Sequence, residues 1–268
     1  MDNSFYENCR EVIGKLRKMR VRPVKGISQH FIVSCDSIKL FYDPLTKFKG
    51  QDFLEIGTGM GYITSLISHI AKRVVTVEVD RRLSFLKNYM PANVELLFAN
   101  GLDFMASTRT PILVSNPPYS ITSELLVRMV KNNSIKYAVL GLQKEVAERL
   151  VSNPGESNYG RIAVLVQYFF SARILGNIPP KNYYPRPKVK SSVLFFRRIR
   201  DWNQKYNELE RLTSCLFSQK NKRVYKVIAT CSKKLGLNIK GSWGNRRVRE
   251  LAPEEIALMV GCRTCEGC

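Results

Sequence analysis

The chain predicts an α/β fold: a mostly parallel sheet with helices on both faces, followed by a small basic helical domain. Three observations carry that prediction. Short β-rich runs alternate with helix-patterned segments through the first two thirds, the order of a parallel sheet covered on both sides. A glycine-rich turn, Glu55-Ile-Gly57-Thr-Gly59-Met-Gly61, joins one of these strands to a helix. After Arg200 the strand-like runs stop and only helical spacing remains.

The elements follow in order. Residues 51–56 (QDFLEI) read as a strand and 62–72 (YITSLISHIAK) as a helix. Residues 74–79 (VVTVEV) form the next strand, 81–90 a helix, and 94–99 (VELLFA) a third strand. A fourth strand, 111–115 (PILVS), precedes a helix near 122–131, and strands follow at 136–142 (KYAVLGL) and 192–199 (SVLFFRRI). Leu209, Leu212, Leu216 and Phe217 then fall at helical spacing, as do Val224, Val227, Ile228 and Cys231. Pro253, Glu254 and Glu255 make a first helical turn with Ile256, Met259 and Val260 facing inward. A domain over 1–200 and a basic helical domain over 201–268 are expected, with no internal repeat.

Composition sets the broad class. The 268 residues are 44% hydrophobic, enough for a real core, which excludes a mostly disordered chain. No apolar run approaches the roughly 18 residues of a spanning helix. The opening MDNSFYENCR lacks the apolar stretch of a secretory signal, so a cytoplasmic protein with no membrane association is expected. Seven cysteines are too few for a disulfide scaffold. Cys262, Cys265 and Cys268 are spaced CxxCxxC at the end, but no fourth ligand is near, and no metal is expected.

Net charge is +21, and its distribution is uneven. Residues 31–172 carry fifteen basic and twelve acidic side chains, whereas residues 173–250 carry twenty and four, a net +16. A solubilising surface is better served by mixed signs. The excess points to a polyanion, and therefore to phosphate binding by the last third of the chain.

The glycine turn lets the backbone bend sharply and approach a ligand lying across the strand ends. Tyr62 stands where a dinucleotide fingerprint has its third glycine, and no Lys-Ser/Thr follows, so neither that fingerprint nor a P-loop is present. Glu78 ends the next strand 21 residues after Gly57, where a carboxylate can accept hydrogen bonds from both hydroxyls of a ribose. Asn100 ends the third strand, where an amide can pair with an adenine edge.

The decisive motif is Asn116-Pro117-Pro118-Tyr119 at the end of the fourth strand. An amine on a planar π-system is a poor nucleophile because its lone pair is delocalised. The Asn116 side-chain oxygen and the Pro117 carbonyl can accept both its hydrogens and localise that pair, while Tyr119 stacks on the base, worth about 1–3 kcal/mol. Alone, a tight turn with a packed tyrosine explains such a motif; after the glycine turn and Glu78, in this order, amine methylation explains it better.

With these residues in hand, the chain resembles class I S-adenosylmethionine-dependent methyltransferases, and more closely the rRNA adenine dimethyltransferases of the small subunit. The resemblance runs from about Gly26 to Val260. Its specific parts are Gln29-His-Phe-Ile32, the glycine turn, NPPYSIT, residues 143–161 (QKEVAERLVSNPGESNYGR) and residues 179–193 (PPKNYYPRPKVKSSV). It implies cofactor contacts at His30, Ile32, Gly57, Gly59, Glu78, Asn100 and Asn116. It puts Asn116, Pro117 and Tyr119 at the reaction centre, with Tyr183 on the other face of the target base. It implies S-adenosylmethionine as cofactor, two adjacent adenines of small-subunit rRNA or a pre-ribosomal particle as substrate, and a monomer acting in ribosome biogenesis. Three departures stand out: NPPY for the usual NLPY, Asn100 for Asp, and Gly26 separated from Gln29. Two other readings stay open, a non-catalytic RNA-binding assembly factor on this scaffold and an NPPY methyltransferase for DNA adenine or protein glutamine.

Overall fold

The computed structural model describes residues 12–24, 26, 29–239 and 243–261; the Cys262, Cys265 and Cys268 spacing lies outside them. Among the described residues no helix is long and apolar enough to cross a membrane, and no cluster of His, Cys, Asp or Glu is placed to hold a metal ion. The chain divides into two compact units, residues 1–147 with 173–197, and residues 148–172 with 198–268.

The first unit opens with helix α1 (Val12–Lys18), the two-residue strand β1 (Phe31–Ile32) and helix α2 (Cys35–Tyr42). Then β2 (Asp52–Ile56), α3 (Tyr62–Ser68), β3 (Arg73–Glu78), β4 (Val94–Phe98), α4 (Gly101–Ser107) and β5 (Ile112–Ser115) alternate. Helix α5 (Thr122–Lys131), strand β6 (Tyr137–Gln143) and helix α6 (Lys144–Leu150) follow. The expected helix over 81–90 is instead a run of 3-10 turns, Arg81–Tyr89. Its buried residues, Leu83 and Leu86, are three apart, which matches three residues per turn better than 3.6.

After α7 (Arg161–Phe169), the chain re-enters the sheet as β7 (Phe170–Ile178), makes the short β8 (Tyr183–Tyr184) and ends it with β9 (Ser191–Arg198). The seven strands run in the order β4-β3-β2-β5-β6-β9-β7. The β4-β3-β2-β5-β6 ladders are parallel, and β9 joins β6 antiparallel. From β2 the chain winds outward to β3 and β4, then crosses back to β5. The strand order reverses between β2 and β5, and ligands of such sheets bind outside the carboxyl ends of the strands at that crevice. Register sets the ends level: Ile56 lies opposite both Val77 and Ser115. The Ser115 hydroxyl also donates to the Ile56 carbonyl at 2.6 Å, closing the crevice floor.

The second unit holds α7, α8 (Tyr206–Phe217), α9 (Val224–Leu235) and α10 (Pro253–Met259). Of the residues expected to face inward, Leu209, Leu212, Leu216, Val224, Val227, Ile228, Cys231 and Ile256 are buried, whereas Phe217, Met259 and Val260 are only half-buried. A disulfide, Cys215–Cys231, joins α8 to α9. The unit recruits residues 148–172 from upstream of residue 200, so its sequence is discontinuous. Tyr168 and Phe169 of α7 explain this recruitment. Both rings pack edge-on against Tyr206 of α8, with centroids 5.6 and 5.0 Å apart.

Candidate active site

The turn after β2 has to reverse within a few residues to start α3. Gly57, Gly59 and Gly61 adopt φ of +84°, +54° and +78°, which a side chain resists. A Cβ on Gly59 would lie 3.5 Å from the Phe31 ring of β1, so the turn also passes close beneath that strand.

Glu78 is buried and already committed to backbone. Its Oε2 accepts from Gly59 N at 3.0 Å, and its Oε1 accepts from Val79 N and Asp80 N, both at 2.9 Å. Burial pushes this carboxyl above the ordinary carboxylate range, and the three N–H groups partly offset that push. Asp80 next to it is held below the ordinary range by the Arg82 guanidinium, which forks onto it, and it also accepts from Gln29 Nε2 at 3.2 Å. Gln29 thereby ties the segment before β1 to the end of β3.

A second buried acid supports the glycine turn. Glu55 Oε2 accepts from the Thr64 and Thr76 hydroxyls, and Thr76 in turn meets the Thr58 hydroxyl at 2.7 Å. Complete burial pushes the Glu55 carboxyl up to about 8, against the pull of the two hydroxyls. A raised carboxyl binds its proton in the folded protein while the unfolded chain has released it. Stability therefore falls as pH rises from the unfolded value near 4.5 towards about 8, by on the order of 1 kcal/mol per pH unit. We expect Glu55→Gln to flatten the melting temperature between pH 5 and pH 8; an equally steep decline in that variant would assign the dependence to another group.

Asn100 caps α4, with its Oδ1 accepting from Leu102 N at 3.0 Å. That leaves its Nδ2 as the free polar group, a donor, where an aspartate would offer only acceptors. Asn116 follows the buried end of β5, and its Oδ1 accepts from the Tyr183 hydroxyl at 3.3 Å. The Tyr119 hydroxyl pairs with Ser191 at 2.8 Å, and burial raises both phenols. Tyr183 arrives through a short antiparallel ribbon, in which β1 pairs with β8 and Ile32 lies opposite Tyr183. His30 Nδ1 is 2.7 Å from the Pro185 carbonyl, and its ring lies 5.8 Å from that of Tyr119.

The ten residues singled out in the sequence, His30, Ile32, Gly57, Gly59, Glu78, Asn100, Asn116, Pro117, Tyr119 and Tyr183, all line one cavity of about 420 Å³ in the first unit. Sequence reasoning missed others that line it, chiefly Met60, Val79 and Leu102. Val79 is apolar yet 59% exposed, a flat-ligand surface beside the acid. Its signal was present: an aliphatic residue directly after an acid at a strand end. Glu55 and Ser191 carried no such signal, because each acts through partners distant in sequence.

The sequence profile of the ribosomal RNA adenine dimethylase family matches residues 25–261 of the chain. A relative in Aeropyrum pernix, described as a probable ribosomal RNA small subunit methyltransferase A, is 36% identical over 214 residues, 78% of this chain and 76% of the relative. One of the same description in Pyrobaculum islandicum is 36% identical over 230 residues, covering 85% and 91%. In fold, the chain is similar to a dimethyladenosine transferase from Plasmodium falciparum, with a TM-score of 0.69 at 22% identity, over 85% of this chain and 94% of that one.

Proposed function

Because the chain belongs to the ribosomal RNA adenine dimethylase family, we propose that it transfers methyl groups from S-adenosylmethionine to the exocyclic amine of adenines in small-subunit rRNA. Two adjacent adenines, each dimethylated, are the target, on rRNA or a pre-ribosomal small subunit; the protein acts as a monomer in the cytoplasm, in ribosome biogenesis. The observation that carries the reading is the pair Asn116 and Pro117 lining the same cavity as the glycine turn and Glu78.

The residues fit the cofactor. The positive-φ turn leaves backbone open where a Cβ would intrude, Glu78 retains acceptor capacity on Oε2, and Val79 and Leu102 offer apolar walls. When bound, S-adenosylmethionine supplies an electrophilic methyl on a sulfonium, a good leaving group. The protein's part is positioning, which alone is capable of lowering a barrier by about 7–11 kcal/mol. The target base leaves its stack and enters the cavity against Tyr119, with Tyr183 on its other face. Asn116 Oδ1 and the Pro117 carbonyl accept the amine hydrogens and turn its lone pair outward. The amine loses its proton readily once alkylated, so a strong general base is not needed. Labelled S-adenosylmethionine with under-methylated small subunits tests this: digestion should give labelled dimethyladenosine, and a product lacking labelled adenosine overturns it.

Five of the six cations clustered at 220–223 and 246–249, namely Lys220, Arg223, Arg246, Arg247 and Arg249, make contacts within the second unit, so we assign the RNA contact to others. Lys220 Nζ donates to the Ser157 and Tyr159 carbonyls, and Arg223 and Arg247 donate to the Asn245 and Asn221 carbonyls. Arg246 is paired with Glu255, and Arg249 reaches Asn221. Those five are engaged in contacts within the second unit. Lys222, with Lys226 and Lys233 on the exposed face of α9, remains for phosphate. Reversing these three charges should flatten the slope of log affinity against log salt by about 2 units, at roughly 0.7–0.9 per neutralised phosphate. S-adenosylmethionine binding should not change; a wild-type salt slope would move the contact off α9.

A further inference from the structure

We infer that Asn116 is held in its reactive pose by a clamp of three groups, the bare Cα of Gly141, the ring of Phe41 and the hydroxyl of Tyr183. Gly141 and Phe41 are therefore positioning residues for methyl transfer. The inference rests on the methyl-transfer reading of the same cavity.

The register places the groups. Ser115, the last residue of β5, lies opposite Leu140 of β6, so Asn116, just past the end of β5, stands beside Gly141, which is still within β6. A Cβ on Gly141 would stand 2.6 Å from Asn116 Oδ1 and 2.7 Å from Phe41 Cζ. Both distances are far inside van der Waals contact. The space a side chain would take is thus filled jointly by the Asn116 amide and the Phe41 ring. Gly141 is absent from the positive-φ glycines, so its backbone accepts any residue and only space demands glycine here.

The two neighbours differ in how they would yield. Phe41, on the buried face of α2, has no exposure, and close packing leaves its ring nowhere to go. The Asn116 amide is the free end of a side chain facing a cavity. An added methyl at position 141 therefore displaces Asn116 rather than Phe41. The Tyr183 hydroxyl also donates to Oδ1 at 3.3 Å. That bond fixes which end of the amide is the oxygen, and it leaves a second lone pair of Oδ1 for the target amine.

The test uses Gly141→Ala and Tyr183→Phe in the full chain, with under-methylated small subunits as substrate. A displacement approaching 1 Å at a reacting group lowers turnover by about 10²-fold, so kcat of Gly141→Ala should fall about 10- to 100-fold. Tyr183→Phe keeps the ring and loses one hydrogen bond, for which a fall of about 2- to 10-fold is expected. In both variants S-adenosylmethionine affinity, read by calorimetry, should stay within about twofold of wild type. The side-chain amide signal of Asn116 in isotope-labelled protein, assigned by its absence in Asn116→Ala, should move in both.

Wild-type kcat in Gly141→Ala overturns the inference. So does a reduced kcat with the Asn116 amide signal unmoved, because that outcome means general core damage. Should Gly141→Ala fail to fold, Tyr183→Phe adds no atoms and decides the question by the same two readouts. A wild-type protein that leaves adenine unmethylated fails the functional reading instead, and the amide signals still report on the clamp without turnover.

Discussion

Asn116→Ala is expected to abolish most methyl transfer while S-adenosylmethionine still binds. On the proposed reading the variant removes one of the two acceptors for the target amine, and loss of one well-placed polar group at a reaction centre typically lowers kcat by about 10²–10³. Cofactor affinity is retained because the glycine turn after β2 and Glu78 at the end of β3 are tied to one another through Gly59 N and not through Asn116. The variant also strips the Tyr183 hydroxyl of an acceptor in a half-buried place, which lowers stability by about 1–3 kcal/mol. Turnover must therefore be measured well below the melting transition. Single-turnover rates at saturating cofactor and substrate, beside a calorimetric titration, separate the two effects. Turnover close to wild type would remove Asn116 from the mechanism.

Much of this site was legible because its signals are local. Gly57, Gly59 and Gly61 are needed for backbone conformations set within five residues, and Glu78 and Asn116 sit at the ends of apolar runs whose lengths fix where the strands stop. Parallel pairing then levels those ends, so residues chosen one by one from separate strands line one cavity. The run at 81–89 shows where a local signal was misjudged. Its buried residues, Leu83 and Leu86, are three apart, a spacing that 3-10 turns and an α-helix both accommodate.

What stayed hidden is what depends on distant partners. Lys220 is expended on carbonyls of Ser157 and Tyr159, 63 and 61 residues away, so a cluster that reads as free charge is partly structural. Strand β9 inserts beside β6 with its direction reversed, and no periodicity within residues 191–198 reports a strand's neighbour. Helix α7 is buried almost all round, so it lacks the two-faced pattern that would assign it to the second unit. The Phe41 ring beside Gly141 is of the same kind: a volume shared by positions one hundred residues apart leaves no trace in either local sequence.

Glu78→Ala is expected to act on cofactor affinity first and turnover second. A carboxylate offers about four lone-pair sites, and in this protein Gly59 N, Val79 N and Asp80 N occupy three of them. The remaining capacity is on Oε2, the oxygen that also holds the glycine turn. A ribose hydroxyl bound there shares its acceptor with Gly59 N, so ribose binding and the turn's conformation are coupled through one atom. Charge-assisted hydrogen bonds are worth roughly 1.5–3 kcal/mol each, and loss of one with loosening of the turn should weaken S-adenosylmethionine binding about 10²-fold. Glu78→Gln keeps an oxygen for one set of N–H groups but puts a donor where the other oxygen stood. It should therefore lose affinity nearly as far while melting closer to wild type than Glu78→Ala, whose three N–H groups have no acceptor. Calorimetry at a temperature where all three proteins are folded checks the order. Unchanged affinity in Glu78→Ala would mean that the ribose is held elsewhere, and the coupling through Oε2 would go with it.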